Sequence, residues 1–221
     1  MRFDEVNDLL EPGYLTLESG VVSYDDGRRT IAALTRMPQS RAKMVHWWFG
    51  WLGGTDQYKL WHPKDHVFSD WENRKDGNYW GATHVVREYL GRDADPTIHD
   101  LRVNFVHPHE FFDPKRYDAF DGVAVCARPG AKGVPFTIGH MCHFVRNTDY
   151  GCEMRTRFWL GDIKDAATGA PVPEDVAAKV RAAAVTEHFC RRLHQHAIEE
   201  MGYLADILPV LYRQVTSDTS F

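Results

Sequence analysis

The sequence has no apolar run long enough to span a bilayer and no basic excess: 26 Lys and Arg stand against 31 Asp and Glu, a formal net charge of −5. The first absence argues against a membrane span. The second argues against nucleic acid or an anionic membrane as partner, because both require a basic footprint. Cysteine is scarce. Cys126, Cys142, Cys152 and Cys190 form no CxxC pair and lack the spacing of a zinc ribbon. The opening residues, MRFDEVNDLLEPG, are acidic and unlike a secretory signal, so reduced thiols and a cytoplasmic location are expected. A P-loop, a GxGxxG turn, a GxSxG elbow and a Cys/His nucleophile arrangement are also missing. Their absence speaks against phosphoryl transfer, dinucleotide redox chemistry and serine hydrolysis.

What the chain does have is histidine and tryptophan. Twelve His and seven Trp in 221 residues cluster towards the middle of the sequence. Histidine is the commonest metal ligand, and a His-rich, Cys-poor chain directs attention to a site built from nitrogen and oxygen donors.

The length suits a single domain over residues 1–221, and no repeat or Pro/Ser linker divides it. Residues 1–38 read as an N-terminal extension, a short helix followed by hairpin-like segments around Asp25-Asp26-Gly27. The core spans 39–211. Within it, 39–52 is predicted helical, stopped by Gly53-Gly54. Strands are expected at 58–62, 83–89, 98–106, 122–127, 136–145 and 152–160, the last two flanking a turn at 147–151. One long helix is expected from 174 to about 208, ended by Pro209. Antiparallel strands followed by a long C-terminal helix give an α+β fold of the helix-grip type, a curved sheet wrapped on that helix and enclosing a cavity.

In the last helix, Leu193, His196, Glu200, Leu204 and Ile207 are spaced by 3, 4, 4 and 3 residues and share one face, which the apolar members mark as inward. A carboxylate there is costly unless paired or bound to a cation. The i,i+4 spacing lets His196 and Glu200 reach one ion. The plainer alternative is a helix-surface pair worth a few tenths of a kcal/mol.

In 83–89, alternation puts His84, Val86 and Glu88 on one face, making Glu88 either a cavity carboxylate or an exposed strand residue with a basic partner. The segment from Tyr58 to His66 is dense in metal-capable groups, and either His62 or His66 could be its ligand. His140 and His143, three apart, fall on opposite faces of a regular strand, so at most one faces a cavity. Arg155, Arg157 and Trp159 share one face of their strand, and Thr156, Phe158 and Leu160 the other. The tryptophans are most simply core and cavity lining, walls that would suit an aromatic ligand.

The linked segments His46-Trp-Trp-Phe49, Thr55-Asp-Gln-Tyr58-Lys-Leu-Trp-His-Pro-Lys-Asp-His66, Thr83-His-Val-Val-Arg-Glu88, Gly151-Cys-Glu-Met-Arg-Thr-Arg-Phe-Trp-Leu-Gly161 and His196-Ala-Ile-Glu-Glu200 resemble the 2,4-diacetylphloroglucinol hydrolase family, which includes phloretin hydrolases. The resemblance runs from about residue 40 to Pro209. It implies a Bet v 1-like helix-grip domain, one zinc ion per chain (iron less favoured), and cleavage of the carbon–carbon bond between an acyl group and a phenolic ring. Position by position, it implies His66, Glu88, His196 and Glu200 as metal ligands and Tyr58 as partner of a substrate hydroxyl. It implies His140 or His143 as a proton-handling residue. Ser69 stands where the family has a substrate-contacting asparagine, and Trp159 near a cavity tyrosine.

The partner implied is a small phenolic substrate; a homodimer is left open. Two other readings compete. A non-enzymatic helix-grip carrier of an aromatic ligand would hold no metal. A metal-dependent oxygenase or cyclase on phenolic or polyketide substrates would keep the metal and change the reaction.

Overall fold

The computed structural model describes residues 1–218. After a 3₁₀ segment at Phe3–Leu10, the chain forms β1 (Gly20–Ser23), β2 (Arg29–Pro38), α1 (Ala42–Trp51), α2 (Thr55–Trp61), β3 (His66–Glu72), β4 (Thr83–Tyr89) and β5 (Ile98–Val106). It continues through α3 (Pro114–Asp118), β6 (Gly122–Ala131), β7 (Phe136–Thr148), β8 (Gly151–Asp165), α4 (Glu174–Ala184) and α5 (Glu187–Thr216). The strands form one antiparallel sheet in the order β1-β2-β8-β7-β6-β5-β4-β3. Its concave face packs on α1, α2 and α5, which is the helix-grip arrangement. No helix among the described residues is long and apolar enough to cross a membrane.

Several expectations are corrected. Residues 20–38 are not an extension: β2 pairs with β8 along its whole length, from Arg29↔Leu160 to Pro38↔Gly151, so only the first 19 residues lie outside the sheet. Residues 58–62 are not a strand. Tyr58 and Trp61, three apart, bury one face of a short helix that begins after Gly54 and carries Asp56 in its first turn. The strand of this region is β3, which the Pro63 break and the mixed composition of 66–72 concealed.

The long C-terminal helix is interrupted at Val185-Thr186, where the Thr186 side chain accepts from the Phe189 N–H at 3.1 Å and starts α5 afresh. Pro209 does not end it. The turns on both sides are buried through Leu208, Pro209 and Tyr212, and Tyr212 meets the Trp47 ring of α1 edge-on at 5.2 Å. That packing outweighs the backbone hydrogen bond proline cannot make.

The convex face has its own apolar layer. Val6 and Leu9 of the N-terminal segment, with Phe111 and Phe112, cover Phe144 and Trp159. Arg155 and Arg157 of β8 also point to this side, both almost fully buried, and both are met by one carboxylate. Glu18 accepts from Arg155 Nη2 at 2.6 Å and from Arg157 Nη2 at 2.5 Å. Burial pushes the Glu18 carboxyl up, but the Arg155 hydrogen bonds, the Leu15 N–H and Arg157 outweigh it and hold it below its usual value. The pair energy is therefore present above the unfolded carboxyl pKa and is lost as pH falls through the depressed folded value. Glu18→Ala strands two buried guanidinium groups, and urea unfolding at neutral pH is expected to show a loss of about 3–5 kcal/mol. A variant as stable as the parent would show that Glu18 is not the anchor of the N-terminal segment.

Candidate metal centre

The site grows from two local rules. Pairing of β3 with β4 sets His66 directly opposite Glu88, with a register shift immediately after His66. Helical spacing sets His196 and Glu200 one turn apart on the buried face of α5. Where α5 crosses the end of β3 and β4 the two pairs meet. His66 Nε2 lies 3.8 Å from Glu88 Oε2 and 3.6 Å from Glu200 Oε2. His196 Nε2 lies 3.9 Å from Glu88 Oε1 and 3.7 Å from Glu200 Oε2. Ligands about 2.0–2.2 Å from a tetrahedral cation lie about 3.4 Å apart. His66, His196 and Glu200 have donor atoms within 4.8 Å of one another, and Glu88 flanks them, turning a different oxygen to each imidazole.

The protonation pattern fits a cation as well. His66 Nδ1 is 2.8 Å from the Tyr58 carbonyl oxygen, which can only accept, so Nδ1 carries the proton and Nε2 presents a lone pair. His196 Nδ1 faces Asp65 Oδ2 at 3.2 Å and is oriented in the same way. Both Nε2 atoms are buried and have no hydrogen-bond partner among the described residues. The two unpartnered imidazole nitrogens and a Glu200 oxygen are a donor set suited to a divalent metal, with the buried Glu88 carboxylate beside them.

His62 is a different case. Its Nδ1 accepts from the Asp65 N–H at 3.2 Å, which puts the proton of the neutral ring on Nε2 and leaves that atom no lone pair to offer. His62, Asp65 and His196 also cluster, and His62 Nε2 is likewise buried without a hydrogen-bond partner among the described residues; the tautomer set by the Asp65 N–H is what distinguishes His62 from His66.

Burial lowers His66 to about 4, with Glu88 opposing, which keeps the ring neutral and ready to ligate. Burial also disfavours charge on His196, but Glu200, the Asp65 hydrogen bond and Glu88 outweigh it and push it up to about 9. Glu200 is raised by burial, against His196. Without a cation, then, the cluster offsets its carboxylates with a proton.

Tyr58 stacks flat on His66, ring centroids 3.6 Å apart, and donates its hydroxyl to Glu88 Oε2. Burial and then the Glu88 charge raise its pKa far above the ordinary phenol value, so it stays protonated. These groups form one end of a cavity whose other walls are mainly apolar, among them Leu101, Val103, Met141, Phe158, Phe189 and Leu193. His143 projects into this cavity, its Nδ1 2.9 Å from Thr156 Oγ1, and burial lowers it to about 3.

Three sequence expectations part company with the geometry. His140 lies on the convex side, stacked on Phe3 at 3.7 Å, with its Nε2 3.9 Å from Asp162. Strand alternation separates it from His143, so only His143 faces the cavity. Trp159, cross-strand partner of His140, is likewise in the convex layer, and the cavity residues of β8 are its two neighbours Phe158 and Leu160. Ser69 is not in the cavity wall. Its hydroxyl meets His84 Nε2 at 2.7 Å, and it is His84, stacked on Trp71 at 4.2 Å, that lines the cavity. Asp65 went unassigned in the sequence. Its place after the Pro63 break, one residue before His66, was the only signal available.

An apolar cavity that ends on a buried cluster of metal-capable donors defines a helix-grip enzyme. The chain belongs to the DAPG hydrolase family: the family model described as "DAPG hydrolase PhiG domain" matches residues 1–213. The phloretin hydrolase of Eubacterium ramulus is 27% identical over 229 residues, covering 96% of this chain and 78% of that protein. A 2,4-diacetylphloroglucinol hydrolase of a Pseudomonas species is 25% identical, covering 96% of this chain and 76% of that protein. Among solved structures, protein Ms6760 from Mycobacterium smegmatis aligns with a TM-score of 0.42 at 11% identity, over 89% of this chain and 98% of that one. These relationships make this chain a hydrolase.

The tautomer argument separates the two neighbouring histidines experimentally. His66→Gln is expected to lower metal content, measured by mass spectrometry of protein purified without chelator, from about one equivalent to about a tenth or less. His62→Gln is expected to keep its metal. Metal lost from His62→Gln and kept by His66→Gln would reverse the assignment.

Proposed function

We propose that this chain is a zinc-dependent hydrolase that cleaves the carbon–carbon bond between an acyl group and a phloroglucinol-type ring, releasing the phenol and a carboxylic acid. The observation that carries the reading is the convergence of two unpartnered imidazole nitrogens and two buried carboxylates at the polar end of an apolar cavity, in a member of this family. His66, Glu88, His196 and Glu200 would hold the ion. Zinc so bound supplies Lewis acidity towards the substrate's oxygens.

The chain's own groups do the rest. The apolar walls receive the acyl chain and the ring faces and exclude bulk water. Tyr58, kept protonated by burial and by Glu88, orients the ring through one of its hydroxyls. An acylphloroglucinol protonated at the acyl-bearing ring carbon becomes a β-diketone, whose carbonyl accepts water while the ring departs as a stabilised carbon leaving group. Water's oxygen ends in the carboxylic acid and the ring carbon retains the added proton. His143, the histidine of β7 that faces the cavity, is suited to relay protons between water and ring.

Incubation of the metal-replete protein with phloretin or a diacetylated phloroglucinol, without oxygen, is expected to release the less acylated ring and the matching acid. No release from either compound would contradict the reading, and turnover only with oxygen would point to an oxygenase. Tyr58→Phe is expected to lower kcat/KM roughly 10- to 100-fold while metal content is unchanged. Unaltered kinetics would remove Tyr58 from the mechanism.

A further inference from the structure

Asp65 is buried at 2% exposure, and its carboxylate is held by three hydrogen bonds. Its Oδ2 accepts from the Gly91 N–H at 2.6 Å and its Oδ1 from the Arg92 N–H at 3.0 Å. Oδ2 also faces His196 Nδ1 at 3.2 Å and, further off, His62 Nε2 at 3.8 Å. The turn that supplies the two N–H groups is itself fastened to α5. Arg192 donates from Nε to the Leu90 carbonyl at 2.8 Å and from Nη2 to the Gly91 carbonyl at 3.0 Å. Gly91 has φ +89°, and a Cβ there would fall 1.7 Å from Arg192 Nη2, so glycine is required for this close approach. On the ring's flat side, His62 lies nearly parallel to His196 at 5.1 Å.

We propose that Asp65 is a positioning residue for the metal centre: it holds His196 with the proton on Nδ1 and its ring turned so that the Nε2 lone pair meets Glu88 and Glu200. This rests on the metal reading above. An imidazole without a fixed acceptor at Nδ1 can move its proton to Nε2 and donate to either carboxylate, which consumes the lone pair a metal needs. Asp65 removes that option. The two backbone N–H groups fix its carboxylate, and Arg192, one turn before His196 on the same helix, fixes the turn that bears them. The ligand and its orienting group are thereby tied to one frame. Asp65 is not a ligand of a second ion in this arrangement. The imidazole nitrogens nearest to it, His196 Nδ1 and His62 Nε2, are the protonated ones in these tautomers, and its oxygens accept from the Gly91 and Arg92 N–H groups.

The test compares the full-length parent with Asp65→Asn. Zinc affinity, measured by chelator competition, is expected to weaken about 10- to 100-fold. The visible spectrum of the cobalt-substituted protein is expected to change in band position, a readout that a loss of stability alone does not move. Equal affinity with an unchanged cobalt spectrum would overturn the proposal. The parent offers a second route should the variant not fold. Long-range proton–nitrogen NMR of the zinc-loaded parent should show His196 protonated at Nδ1 and bare at Nε2, and the opposite tautomer would overturn the proposal. A parent that binds no zinc overturns this inference together with the function above. A zinc-binding parent indifferent to Asp65→Asn overturns this inference alone.

Discussion

Two carboxylates, Glu88 and Glu200, are buried side by side against two imidazoles, and the rest of the structure depends on how that charge is compensated. An ionised group taken out of water costs several kcal/mol after relaxation, and an apolar cavity beside it makes the cost harder to recover. Tyr58 meets one carboxylate with its hydroxyl, and His196 can offset charge with a proton, but neither uses the lone pair of His66. A divalent cation would engage His66, His196 and Glu200 together, with Glu88 beside them. The compensation is built on strand pairing and helix spacing, elements that carry their own cooperativity, which is how a costly site can be held in a fixed geometry.

The polarity of the cavity follows from the same arrangement. All the ionisable groups sit where α5 crosses β3 and β4, and the opposite strands supply mostly aliphatic and aromatic side chains. His84 and His143 are the exceptions, imidazoles kept neutral by burial among the apolar lining. A substrate with one face of closely spaced oxygens and an apolar acyl chain matches that division. The convex layer has a different task. With Glu18 clamping Arg155 and Arg157, the first 19 residues close the sheet's outer face, and His140 and Trp159 belong to that closure.

How much of this could be read in the sequence follows from the range of the interactions. The α5 pair was legible because helix periodicity is local: Leu193 and Leu204 mark the inward face that His196 and Glu200 share. Strand alternation grouped Glu88 with His84 and Val86 but left its face open, and only the family resemblance singled it out as a donor. The separation of His140 from His143 was legible for the same reason, although which of them faces inward was not. That depends on a register shift between Thr137 and Gly139, where Gly139 at φ +143° brings β7 so close to β8 that a Cβ would lie 2.0 Å from the Trp159 carbonyl oxygen. The helix at Thr55–Trp61 and the continuation of α5 past Pro209 were hidden because tertiary packing decided them against local signals. Asp65 was hidden because its partners, Gly91, Arg92 and His196, lie far away in sequence.

The most direct measurement is anomalous diffraction at the zinc absorption edge from crystals of protein purified with no metal added. A single anomalous peak within bonding distance of His66 Nε2, His196 Nε2 and a carboxylate oxygen from each of Glu88 and Glu200 is the required result. No peak there, with those four side chains engaged only with one another or with water, would contradict the account.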